Sequence, residues 1–155
     1  MENIQKIYKM LELSSTDETR REGMNLMRTV KELALLIQPE ASPIVWECCA
    51  QVLCEKSDVI LQPHLIRLLE WLQDLNWPGA LFILNRLKNF SGEKLKESFL
   101  SCFYRASSID SQDGLMWLDY LSELLDNEEL KDVLPSDVTQ TLKHHYQNWG
   151  FWRSD

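Results

Sequence analysis

Few residues in this chain are grouped so that they could do chemistry together. Trp71, Asp74, Asn76 and Trp77 crowd one short stretch. Two indoles beside a carboxylate and a carboxamide could line a small-molecule pocket or an enzymatic site. Asp119, Glu123 and Asp126 stand at i, i+4 and i+7. On a helix this spacing forms one exposed acidic stripe, where a basic protein could dock. Near the C-terminus Trp149, Phe151 and Trp152 could anchor a partner or pack back on the last helices.

Each grouping also has a structural reading. The Trp pair can wedge two helices apart, with Asp74 and Asn76 capping them, because Trp so often supplies core area. An acidic stripe can be a solvated face. Acid–base catalysis calls for paired carboxylates or a His beside a nucleophile. His64 stands alone on a predicted helix, and His144 and His145 point in different directions. There is no Gly-rich phosphate loop and no HExxH. No catalytic residue is therefore assigned, and a non-enzymatic role is expected. Cys48, Cys49, Cys54 and Cys102 form no CxxC pair and have no His at metal-ligand spacing. Reduced, mostly buried thiols are expected, with no metal and no cofactor.

The elements that must position these groups are helices. Leu65, Leu68, Leu69 and Leu72 share one face of a helix starting near Pro63, and Ala80, Ile83, Leu84 and Leu87 share a face of the next. Asn76 and Pro78 have the residue types of an N-cap and a first helical position. The spacing predicts an αα-hairpin with its corner at Gln73 to Pro78. Ser91-Gly92 closes it, Gly suiting the left-handed residue after a helix. Upstream, Ile4, Ile7, Tyr8 and Leu11 predict a short helix. Ser15-Thr16-Asp17-Glu18 matches a capping box opening a long helix from Thr16 to about Gln38, with Gly23 as its weakest point. Ser42-Pro43 opens another helix over Ile44 to Glu55, with Trp46 at the margin of its buried face.

Downstream, Leu95, Phe99, Cys102, Phe103 and Ala106 define a helix. Ser111 or Asp110 caps the following one, whose inward residues are Leu118, Leu121, Leu124 and Leu125. A short turn of helix follows over Asn127 to Val133. Pro135 and Ser136 introduce the last helix, with Val138, Leu142 and Tyr146 inward. No strand pattern interrupts the series. Short helices and tight corners predict a single all-α domain over residues 1–155, a curved two-layer stack of antiparallel helix pairs rather than a four-helix bundle.

The net charge is −8. From Ser107 to Asp132 eight acids face Lys131 alone, so the remainder of the chain is close to neutral. That balance disfavours phosphate-backbone binding and any nucleic-acid partner, and allows a basic protein partner. Neither a long apolar run nor a secretory leader is visible. No membrane partner is expected, and the cytoplasm is the expected location. A monomer or weak dimer is expected.

The segment Leu69-Glu70-Trp71-Leu72-Gln73-Asp74-Leu75-Asn76-Trp77-Pro78 resembles the signature of a bacterial family of unknown function with a HEAT-like fold, and Lys56 to Phe90 resembles it more widely. The resemblance implies a HEAT-like α-solenoid, an ARM-type superhelix, and offers no catalytic residue. The Asp at the inter-helix corner is similar to that of HEAT repeats, where it helps fix the turn, which implies a structural role for Asp74. The chain departs from common HEAT repeats early in the second helix, where Pro78 and Gly79 replace the usual basic residue. The expected function is a protein-interaction module, in its specific form an immunity-type protein that neutralises a basic toxin through Asp119, Glu123 and Asp126. The alternative is a small-molecule or enzymatic site at the Trp71/Trp77 corner.

Overall fold

The computed structural model describes residues 3–149, with side chains as far as His145. Among the described residues the chain is helical throughout, without a strand. The helices are α1 (Ile4–Met10), α2 (Asp17–Arg28), α3 (Pro43–Cys54), α4 (Asp58–Leu61), α5 (Leu65–Glu70), α6 (Ala80–Lys88), α7 (Gly92–Ser108), α8 (Gln112–Ser122), α9 (Glu128–Val133) and α10 (Ser136–Trp149). Tighter 3₁₀ turns lie at Leu33–Leu36, Gln62–His64, Trp71–Gln73 and Glu123–Asp126. No described helix is long and apolar enough to cross a membrane.

Packing proceeds along the chain. α1 lies on α2, α2 on α3, α3 on α6, α5 on α7, α7 on both α8 and α9, and α8 on α10. One core runs through all of these layers, from Ile7 and Leu11 through Leu53, Leu69 and Phe99 to Leu121 and Leu142. The predicted inward faces of the central hairpin are buried. Polar links between layers have a recurrent reach. Arg28 joins Glu55 over 27 residues, Arg86 joins Asp58 over 28, Arg67 donates to the Ile37 carbonyl over 30, Arg105 joins Glu70 over 35, and Asn127 reaches Phe90 over 37.

Several helix ends differ from expectation. The helix opening after Ser15 stops at Arg28 instead of Gln38, and Gly23 lies uninterrupted within it. Its cap is Thr16, whose Oγ1 accepts from the Thr19 amide. Thr29 ends it, the hydroxyl and amide both donating to the Leu26 carbonyl. Leu33 and Leu36 are then buried by a 3₁₀ turn, which suits two apolar residues three apart. Ser42 caps α3 without a hydrogen bond to its amides, because its hydroxyl donates to the Glu12 carboxylate of the preceding layer.

Gly92 is not a left-handed terminator. It is the first residue of α7, and among the described glycines only Gly79 has a positive φ. The N-terminus of α7 is pressed against the backbone of α9, and a Cβ on Gly92 would come within 2.7 Å of Leu130 Cα and closer to Leu130 N. Asn127 fastens the same junction. Buried, it donates from Nδ2 to the Leu87 and Phe90 carbonyls at 2.9 Å, and its Oδ1 accepts from the Leu130 amide at 3.0 Å. Asn127→Ala strands these groups in the interior, and a loss of about 2–3 kcal/mol is expected by urea unfolding.

Asp58 links α4 to α6 and α7, taking Arg86 on Oδ1 and the Ser91 amide on Oδ2. Burial pushes its carboxyl up, but Arg86 and the Ser91 amide outweigh this and hold it below the usual range. A depressed folded-state value gives stability that is present above the unfolded carboxyl value of about 3.9 and lost as pH falls through the folded one. Asp58→Asn is expected to flatten the acid limb of a pH-dependent unfolding curve below about pH 4.

Candidate functional site

The corner between α5 and α6 is built by backbone turns and three indoles. Asp74 Oδ1 accepts from the Asn76 amide at 2.8 Å, and the Asp74 carbonyl accepts from the Trp77 amide at 3.0 Å. Asp74 thus fixes the turn. Asn76 does not cap the second helix. That helix begins at Ala80, after Gly79 at φ +83°. Left-handed backbone is open to Gly at little cost. The site also has no room for a larger residue, since a Cβ would stand 2.8 Å from Ala50 Cβ and 3.0 Å from Trp71.

Trp71 is fully buried, and its Nε1 donates to the Pro78 carbonyl at 3.0 Å. Trp46 of α3 stands edge-on to both other rings, 5.9 Å from Trp71 and 6.5 Å from Trp77. Its own Nε1 donates to the Pro39 carbonyl at 2.6 Å. This chain of three rings makes a rigid wall ending at Trp77, which is 36% exposed. The four corner residues therefore divide. Trp71 is core and Asp74 is turn, while Asn76 and Trp77 line an open cleft of about 400 Å³. Glu47, Leu75, Pro78, Leu81, Phe82 and Asn85 also line it, and Leu81 and Phe82 are 58% and 42% exposed.

The acidic residues do not form the expected exposed stripe. Asp119 has no exposure at all, because α10 packs on the face of α8 that carries it. α8 ends at Ser122, and the 3₁₀ turn that follows breaks the i, i+4, i+7 register. Glu123 and Asp126 both lie on Lys88 of α6, with Nζ at 3.8 Å and 3.1 Å. Asp110, Asp113, Glu128 and Asp132 are exposed on other turns of this segment. The Trp149 side chain, Phe151 and Trp152 lie outside the described residues.

The family described as a domain of unknown function, DUF5071, matches residues 47–148. The chain belongs to this family. The DUF5071 match takes in the corner motif and the cleft wall from Glu47 onward, and Trp46 lies one residue before it. No curated protein matches the chain. No solved structure matches it either.

Within the DUF5071 region the packing of α10 on α8 brings His145 within reach of the Asp119 charge, 26 residues away in the sequence. Burial pushes the imidazole below its ordinary value, while the Asp119 charge and the Leu115 carbonyl act in the other direction. A carboxylate without exposure cannot itself reach a substrate. For a histidine with a depressed folded-state value, the unfolded chain takes up protons first, so stability falls as pH drops through about 6.5. Thermal unfolding between pH 7.5 and 5.5 should show this fall, and His145→Gln should shrink it.

The thiols have no nucleophilic setting. Burial raises Cys49 to about 12 and Cys54 and Cys102 to about 11, and it also raises Cys48. A thiol raised that far carries almost no thiolate at neutral pH. Among the described residues no group of His, Cys, Asp and Glu could hold a metal ion.

Proposed function

We propose that the chain is a non-enzymatic, cytoplasmic protein-interaction module, a HEAT-like curved stack that receives a partner at the corner cleft. The observation that carries this reading is the exposed set Trp77, Leu81 and Phe82, gathered in one cleft on a rigid aromatic wall. Exposed aromatic and aliphatic side chains held together mark interaction sites, and a pre-ordered Trp is a favoured anchor because little freedom is lost on binding. The solenoid form is supported by layers packing in chain order and by polar links that recur at 27 to 37 residues, about one helix pair. A basic toxin as partner, the immunity-type form, has the net charge of −8 in its favour. Its docking would use exposed acids and the cleft, since Asp119 is interior.

A photo-crosslinking residue placed at Leu81 in living cells tests the reading, with Glu97 on α7 as an exposed position outside the cleft. A discrete protein adduct from position 81 and none from 97 is expected. Absence of any discrete protein adduct at 81 would overturn the reading.

A further inference from the structure

We infer that the occupant of the corner cleft is a protein segment that inserts one apolar side chain and sets an arginine or lysine beside it, against Glu47. This deepens the proposed function and rests on it. The apolar requirement comes from the walls, since Leu75, Trp77, Pro78, Leu81 and Phe82 line the cleft together. An apolar group gains by covering them.

The basic requirement comes from charge. Among the described residues that line the cleft Glu47 is the one ionisable group, and it is exposed, with no cation beside it on that wall. Most of the chain's net charge lies in residues 107–132, away in sequence from the cleft-lining residues, so the call for a cation at the cleft is local and comes from the Glu47 carboxylate itself. Arginine suits the place best. Its guanidinium can pair with the Glu47 carboxylate and also lie against the exposed part of the Trp77 ring. Asn76 and Asn85 each offer a carboxamide with both donor and acceptor, which matches the amide groups of a peptide backbone.

The same features disfavour other occupants. A second copy related by a two-fold axis would bring Glu47 of each chain toward the other. An acidic polymer would meet the same carboxylate.

The test uses a random peptide library displayed on phage, selected on the full chain, with the enriched peptides synthesised and their Kd measured by fluorescence anisotropy. Enriched peptides are expected to share an aromatic or leucine next to arginine or lysine. Glu47→Gln should weaken them about tenfold, the scale of a lost hydrogen bond to a charged group. Replacing the peptide's basic residue by alanine should remove this sensitivity to Glu47. Leu81→Asp, at a surface position, should abolish binding while leaving the unfolding temperature nearly unchanged.

No enrichment, or a consensus without a basic residue, would overturn the inference. Peptides indifferent to both Glu47→Gln and Leu81→Asp would overturn it too, while leaving the protein-binding reading to the crosslinking result. A concentration-dependent dimer in sedimentation that Leu81→Asp dissolves would give the cleft to a second copy instead. Quenching of Trp77 by a small metabolite that displaces the peptides would give it to a ligand, again against the inference.

Discussion

Gly92→Ala is expected to be the most damaging single-methyl change in this protein, costing about 3 kcal/mol. The added Cβ would meet Leu130 N, the Glu129 carbonyl carbon and Leu130 Cα. All three are backbone atoms of α9, so no side chain can swing aside to make room. The helix start would have to retreat from α9. That retreat would stretch the Asn127 bonds to Leu87 and Phe90 and the contacts of Glu129 with Ser91 and Glu93. Differential scanning calorimetry should show a fall of about 10 °C, at the 2–4 °C per kcal/mol usual for a chain of this length. A fall of only a degree or two would mean that the α7–α9 junction is looser than the structure has it.

Trp71→Ala is expected to cost about 3–5 kcal/mol, a large part of the stability of a domain of this size. Trp71 has no exposure, supports Trp46 edge-on, and satisfies the Pro78 carbonyl. Its removal opens a cavity behind the corner and frees the wall that holds Trp77. Trp71→Phe keeps most of the packing but drops the hydrogen bond, and about 1–2 kcal/mol is expected. Trp77→Ala, at a partly exposed ring, should cost about 1 kcal/mol or less. Urea unfolding of the three variants should therefore rank them in that order. If Trp77→Ala proved as costly as Trp71→Ala, Trp77 would be a core residue and unavailable as an anchor.

Both expectations turn on neighbours distant in the chain, and the same distinction decides what the sequence disclosed. Leu65, Leu68, Leu69 and Leu72, or Ile83, Leu84 and Leu87, reveal a helix and its inner face through their spacing alone. Asp74 declared a turn, and Asp74 Oδ1 does bind the Asn76 amide. Of the two cap candidates Asp110 and Ser111, Ser111 caps α8, whereas Asn127, legible only as the start of a short helix, is the cap of α9. Periodicity failed at Asp119. There the helical period puts the acidic face of α8 in solvent, and only the placement of α10 buries Asp119.

From the sequence by itself come the helical class, the inner faces of the central hairpin and the turn at Asp74. Each is settled within a few residues by helical period or by a side chain reaching its own backbone. The tertiary structure alone decided that Trp46 buttresses Trp77, that Gly92 yields to α9, that α10 covers Asp119, and that Leu81 and Phe82 stay uncovered. An amphipathic pattern says that a face must be covered somewhere. It carries no record of which distant helix covers it, or of which apolar side chains are left over when all the helices have packed.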